Sequence, residues 1–377
     1  MLLVGADLVT PDAVLPAGWL LVEHGSISAI GRENPPPVRD VVDLTGKTLL
    51  PGFIDLHVHG GGGAGYDDGA AAITTGLNLH LQHGTTRSLV SLISAPALDM
   101  RGAITEAAGL ARADPRVLGI HLEGPFLSPR RRGAHDATVL RDPDPLLLDD
   151  FLSAAGGRLA VVTVAPELPG GLELIEKLVA TGVIAAVGHS DADYQTAYRA
   201  FAAGATLVTH AFNAMRPLHH RDPGIIGAAM DAGVVLEVIN DGVHLHPAAI
   251  RLLHRLTPGR IALVTDAMAA GGATDGTYNL GSGEVTVTDG VATLADGTIA
   301  GSTLTLDVAV QRAVRIVGFS LIDAVNAASL VPATLLGVSD RFGSIAVGRK
   351  ADLVVVDAQL NVEAVLLGGH WARELAV

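Results

Sequence analysis

Cysteine is absent from this sequence of 377 residues. Disulfides, thiolate metal ligands and a thiol nucleophile are therefore excluded, and the absence suits the cytoplasm. Aromatic residues make up only 3% while hydrophobic residues reach 49%, so the core must be Ala, Val, Leu and Ile. Such a composition suits a barrel filled with branched aliphatics. Positive charge is scarce too: 25 Lys and Arg stand against 39 Asp and Glu, a formal net charge of −14. That balance argues against nucleic acid or an anionic membrane surface as a partner. It leaves a small anionic substrate open, because local basic groups decide that. No apolar run approaches the roughly 18 residues of a membrane span. The opening MLLVGADLVTPDAV has no basic residue before its apolar stretch and carries Asp7 and Asp12, unlike a signal peptide. The expectation is a cytoplasmic protein with neither membrane nor nucleic acid as partner.

What is present is a series of short apolar segments, each ending in a polar residue. They are Leu49–His59, Thr86–Ser91, Val117–Glu123, Leu159–Ala165, Val183–His189, Ala205–His210, Val234–Asn240 and Arg260–Asp266. Each runs into a stretch rich in Ala, Leu and charge that can hold a helix. Strand–helix alternation of this kind reads as βα units. Eight of them predict a (β/α)8 barrel, whose chemistry sits at the C-terminal ends of the strands. Residues 1–50 and 340–377 read instead as short strands punctuated by Gly and Asp, with a hairpin signal at His24-Gly25. The expected architecture is α/β: a catalytic barrel over 51–339 and a small β-sandwich domain built from both chain termini. A β insertion near 275–300 is expected from period-two alternation and Asp-Gly turns.

The strand ends carry the chemistry. His57 and His59 stand two apart, so both point to one face, roughly 6.5–7 Å apart at Cα. Two imidazoles so placed can grip one divalent ion; the plainer alternative is a structural pair. The Gly run after His59 reads as a flexible βα loop, since no Gly-Lys-Ser/Thr follows to make a phosphate loop. Glu123 ends an apolar strand and needs a partner, a metal or an arginine, because an unpaired buried charge is costly. His121, two residues earlier, is equally a packed core histidine and stays unassigned. His189 and His210 end two successive strands. With Glu123 they form a His2Glu set, which leaves a position open for water on zinc or a similar ion. Such an ion lowers the pKa of bound water and polarises a carbonyl. Asp266 ends the eighth strand, where a carboxylate can take a proton from attacking water and pass it to a leaving amine. An N-cap is its plainer alternative. Arg130, Arg131 and Arg132 form a basic run of open role after Glu123, with His135 beyond it. Asn213, Arg221 and His244 fall in loops after strands six and seven, and late barrel loops often hold phosphate.

PGFIDLHVHGGGG, HLEGPFL, VGHS, THAFNAM, DGVH and VTDAM resemble the motifs of the N-acetylglucosamine-6-phosphate deacetylase family, within the amidohydrolase superfamily. The closing GSIAVGRKADLVVVD resembles the superfamily's last strands. The resemblance implies metal-dependent hydrolysis of an acetamide on a phosphorylated amino sugar. By similarity, Glu123, His189 and His210 hold the main metal, zinc before iron or another transition metal. His57 and His59, with Glu123 shared, hold a second ion if there is one, so the count is one or two. Asp266 resembles the general base and then the general acid. His135, beside Ala134, matches the position that meets the substrate near its acetyl group. Asn213, Ala214, Asp241 and His244 resemble contacts to sugar and phosphate. Arg221 matches an arginine that reaches the phosphate in the neighbouring subunit, which implies a homodimer. Ile299, Ala300 and Gly301 match a short segment lining the site. VTVAPE, at the end of the fourth strand, lacks the lysine that hydantoinase-like relatives use to bridge two metals. The competing expectations are another amide hydrolase or deaminase on the same barrel, and a silent sugar-phosphate-binding barrel that would not need Asp266.

Overall fold

The eight apolar segments supply the eight strands of one sheet. The computed structural model describes residues 1–375. The strands are Phe53–Asp55, Thr85–Ile93, Val117–Glu123, Leu159–Val164, Ile184–Val187, Leu207–Val208, Val235–Ile239 and Ile261–Val264, paired in chain order. From Thr85–Ile93 onward neighbours pair in parallel. The ends of the sheet meet just past its first and last strands. There the Asp266 amide donates to the His57 carbonyl at 2.8 Å, and the His59 amide to the Ala267 carbonyl at 2.8 Å. The result is the predicted (β/α)8 barrel. Thr85–Ile93 is buried at every position. Burial on both faces is why such strands read as continuous apolar runs rather than as alternation.

A helix follows each strand: Ala70–Gln82, Ala97–Ala113, Pro145–Ala155, Gly171–Ala180, Tyr194–Ala202, Gly224–Ala232, Pro247–Leu256 and Leu306–Arg312. Some of their starts are set by side-chain caps, from Asp144, Asp193 and His246. The Asp144 carboxylate accepts from the amides of Leu146 at 2.9 Å and Leu147 at 3.3 Å, with Pro145 in the first turn. Gly156, at φ 52°, ends that helix in the left-handed conformation that glycine tolerates best.

The first segment departs from its expected reading. Leu49–His59 spans strands of two different sheets: Thr48–Pro51 pairs with Leu353–Val356, and only Phe53–Asp55 enters the barrel. Both pieces are almost wholly buried, so no change in polarity marks the switch.

The strands at both chain ends form the separate sheet. Its order is His370–Arg373, Val362–Leu367, Leu353–Val356, Thr48–Pro51, Leu2–Val9, Val14–Glu23, Ser26–Gly31, with Val41–Asp43 beside Leu2–Val9. Leu8, Leu20, Leu49, Leu353 and Val355 fill its core. His24 and Gly25 link an antiparallel pair with φ of 51° and 73°, the two left-handed residues of a tight hairpin turn. The insertion is a three-stranded antiparallel sheet, Gly276–Leu280, Gly283–Thr288 and Val291–Thr293. By contact density the chain forms two units: Met1–Asp55 with Asn78–Arg87 and Leu306–Val377, and Leu56–Leu77 with Ser88–Thr305. Every candidate site residue lies in the second. Among the described residues no helix is long and apolar enough to cross a membrane.

Candidate active site

The strand ends converge on one carboxylate. Glu123 Oε1 lies 3.0 Å from His189 Nε2 and 3.0 Å from His210 Nε2, and those two nitrogens are 2.9 Å apart. On its other side, Oε2 lies 3.2 Å from His59 Nε2 and 3.3 Å from His135 Nε2. His57 Nε2 is 3.0 Å from His59 Nε2 and 3.5 Å from Glu123 Oε1. Asp266 Oδ1 faces both His57 and His59 at 3.5 Å. All seven side chains are buried.

The hydrogen bonds assign the rings. The Arg131 carbonyl can only accept, so His189 donates to it from Nδ1 at 2.8 Å and keeps Nε2 for Glu123 and His210. His57 Nδ1 likewise donates to Glu237 Oε2 at 3.0 Å. Acceptor atoms crowded together this closely repel unless a proton or a cation lies among them. Ligands 2.0–2.1 Å from a tetrahedral zinc stand roughly 3.3 Å apart, close to these separations. Two groups therefore fit a divalent ion, His57–His59–Glu123 and Glu123–His189–His210, each with donor atoms within 4.8 Å of one another. Nδ1 of His59 and of His210 finds no hydrogen-bond partner among the described residues. An ion at Nε2 would make the neutral Nδ1–H form of each ring the stable one.

The electrostatics agree. Burial opposes ionisation of Glu123, yet His57, His135 and His189 outweigh it and hold the carboxyl well below the usual range. Burial likewise opposes charge on His57, but Glu123, Asp266 and Glu237 hold its pKa well above 6.5. His135 goes the other way: burial pushes it down to about 4, against the pull of Glu123. Its Nδ1 lies 3.0 Å from Ser94 Oγ.

Several of these residues sit where L-residues rarely do. His189, His210, Phe212, Ala214 and Asp266 have φ of 45°, 28°, 75°, 49° and 48°. Such backbone costs of order 1–3 kcal/mol per residue and clusters at functional sites. Here it turns the chain sharply at three strand ends and aims the side chains inward.

A cavity of about 390 Å³ opens over the cluster. His59, Ala134, His135, Asn213, Ala214, His244, Asp266, Ile299 and Gly301 line it, with Ile93 and Leu280 as an apolar wall. Asp241 and Ala300 do not line the cavity. Asp241 Oδ2 accepts from His244 Nδ1 at 2.6 Å, and this carboxylate raises the His244 pKa against burial. Ala300 is fully buried. Arg221 lies outside the cavity, in a groove with Asp193, Tyr194 and Asp222, its guanidinium 2.8 Å from His220 Nε2.

The arginine run has local duties: Arg131 pairs with Asp191 at 2.7 Å, and Arg132 donates to the His135 carbonyl at 3.1 Å. His121 bonds Ser91 Oγ at 3.0 Å and Thr163 Oγ1 at 2.9 Å. Glu237 and Ser94 were not singled out from the sequence. A lone glutamate inside the apolar VLEVI was a usable signal for the first; nothing marks the second.

The sequence profile of the amidohydrolase family matches residues 48–372.

The chain belongs to the amidohydrolase family.

It is also 38% identical to the N-acetylglucosamine-6-phosphate deacetylase of Bacillus subtilis, over 97% of this chain and 95% of that one. It is 38% identical to the N-acetylgalactosamine-6-phosphate deacetylase of Escherichia coli O157:H7, over 97% of each. Among solved structures, the N-acetyl-D-glucosamine-6-phosphate deacetylase of Mycobacterium smegmatis superposes with a TM-score of 0.96 at 41% identity, covering 99% of both chains. That structure is an aspartate-to-alanine variant in complex with N-acetyl-D-glucosamine-6-phosphate. As a family member this chain is an amide hydrolase, and its His/Glu groups are able to bind metal.

Proposed function

We propose that this chain hydrolyses the acetamide of N-acetylglucosamine 6-phosphate to glucosamine 6-phosphate and acetate. One observation carries the reading. One cavity is lined by His59, Glu123, His189 and His210 of the two His/Glu groups able to bind an ion, by Asp266 beside them and by His244. Glu123, His189 and His210 would hold the main ion, zinc by the chemistry of the donor set, and His57, His59 and Glu123 a second. A bound ion supplies Lewis acidity and makes water nucleophilic near neutral pH.

The chain's own residues do the rest. Asp266 takes a proton from the water as its oxygen bonds to the acyl carbon. It then delivers the proton to the amide nitrogen as the C–N bond breaks. His135, which lines the cavity with Nε2 3.3 Å from Glu123 Oε2, holds the acyl oxygen. His244, its pKa raised by the Asp241 carboxylate, receives the phosphate. Asn213, Ala214 and the 299–301 segment bound the sugar. The exposed Arg221 reaches the phosphate held by a second copy in a homodimer. The enzyme acts in the cytoplasm, where sugar phosphates are retained.

Acetate release from N-acetylglucosamine 6-phosphate, with chelator and with zinc restored, tests the reading beside the unphosphorylated sugar. Metal-dependent release from the phosphorylated sugar alone is expected; release at equal rates from both would remove the role of the phosphate. A second reading, favoured by the Escherichia coli relative, takes N-acetylgalactosamine 6-phosphate as substrate. A higher kcat/KM for that sugar in the same assay would establish it instead.

A further inference from the structure

Glu237 lies in the middle of the seventh strand, 1% exposed, and does not line the cavity. A buried carboxylate is costly unless it is paired, so an apolar residue would suit this strand better. Its Oε2 accepts from His57 Nδ1 at 3.0 Å and from the His210 backbone amide at 3.1 Å. Its carbonyl accepts from the Ala211 amide at 2.8 Å. Oε1 has no hydrogen-bond partner among the described residues. The carboxylate therefore spends its bonding on two targets, and each belongs to a different ion-binding group.

Both bonds constrain a donor atom. A carboxylate only accepts, so His57 keeps its proton on Nδ1 and turns Nε2 toward His59 and Glu123. His210 sits at φ 28°, a conformation that persists only where its surroundings over-determine it. The bonds from 210 and 211 to Glu237 are restraints of that kind. They fix the direction in which the His210 ring leaves the backbone.

We infer that Glu237 is a positioning residue that ties the two ion sites together, setting the ring form of His57 and the backbone of His210 through one oxygen. The inference rests on the metal-site reading above and is independent of which sugar is cleaved. Outer partners of this type typically govern metal affinity by 10–100-fold.

The test is Co2+ binding to the metal-free protein, followed by equilibrium dialysis with metal analysis and by the visible cobalt spectrum. Wild type, Glu237→Gln, Glu237→Met and Glu237→Ala are compared, with circular dichroism to confirm folding. Gln keeps an oxygen that can accept both bonds and should hold cobalt within about threefold of wild type. Met fills the space without an acceptor and should lose 10–100-fold in affinity, with an altered spectrum. This holds whether wild type takes one ion or two, because Glu237 restrains a member of each group. Should Ala fail to fold, Met decides. Wild-type affinity and spectrum in a folded Met variant would overturn the inference and leave the metal site standing. Failure of wild type to bind cobalt at all would overturn both.

Discussion

Asp266 and Glu123 are both buried carboxylates at strand ends, yet their surroundings divide the labour. Glu123 has imidazole nitrogens at 3.0–3.3 Å on both oxygens, whereas Asp266 approaches its nearest imidazoles only at 3.5 Å and lines the cavity. The first is saturated with imidazole contacts; the second is left facing the cavity. Asp266→Asn should therefore keep its ions and lose kcat by about 10²–10⁴-fold. Metal analysis beside steady-state kinetics checks this, and near-normal turnover would remove Asp266 as the base. A second expectation concerns pH. His57 and His59 both have pKa values raised above 6.5 in the ion-free protein. Stability linked to their protons is fully present below the unfolded value and lost as pH rises through the folded one. An ion must displace those protons, so affinity should climb as pH rises through the same window above 6.5. Calorimetry of zinc binding in buffers of different ionisation enthalpy would show proton release. Release that is absent at pH 7 would contradict the assignment.

Some elements around the barrel are specified by their own local sequence. Asp144, Asp193 and His246 each cap the helix that follows them by accepting from an amide of its first turn. Asp144 caps Pro145–Ala155 through two backbone amides and does not line the cavity. Asp144→Ala should lower stability by about 1 kcal/mol through the orphaned amides. Denaturant titration would read this, with kcat unchanged. A change in kcat with no loss of stability would show that the helix serves the site directly. The insertion has a different task. Its buried residues Leu280, Val285, Val287 and Ala292 pack with Ile93 and Met268, so it stands as one wall of the cavity rather than as a loose loop.

At the scale of the whole molecule, Arg221 is the residue that a single chain does not explain. It lies in a groove apart from its own cavity. Arg221→Ala should raise KM for the phosphorylated sugar far more than for the unphosphorylated one. Mixing Arg221→Ala chains with Asp266→Asn chains should restore low KM at sites that pair an intact Asp266 with a partner's arginine. No recovery in a verified mixed dimer would place the arginine's role within its own chain. The same scale shows what could be read in advance. The eight barrel strands were legible because burial on both faces leaves continuous apolar runs, and the ends of those runs hold His57, His59, Glu123, His189, His210 and Asp266. The family motifs made the substrate class legible as well. Other features were not legible. Thr48–Pro51 and Phe53–Asp55 belong to different sheets although one apolar run covers both, because hydrogen-bond partners far along the chain make that choice. The sequence by itself determined which residues would stand at the strand ends, since a two-sided strand must be apolar until it leaves the core. Only the tertiary structure decided that Glu237 bonds both His57 and His210, that Ser94 touches His135, and that Arg221 lies outside the cavity. Those relations are distances between residues remote in the chain, which closure of the barrel sets and local pattern does not encode.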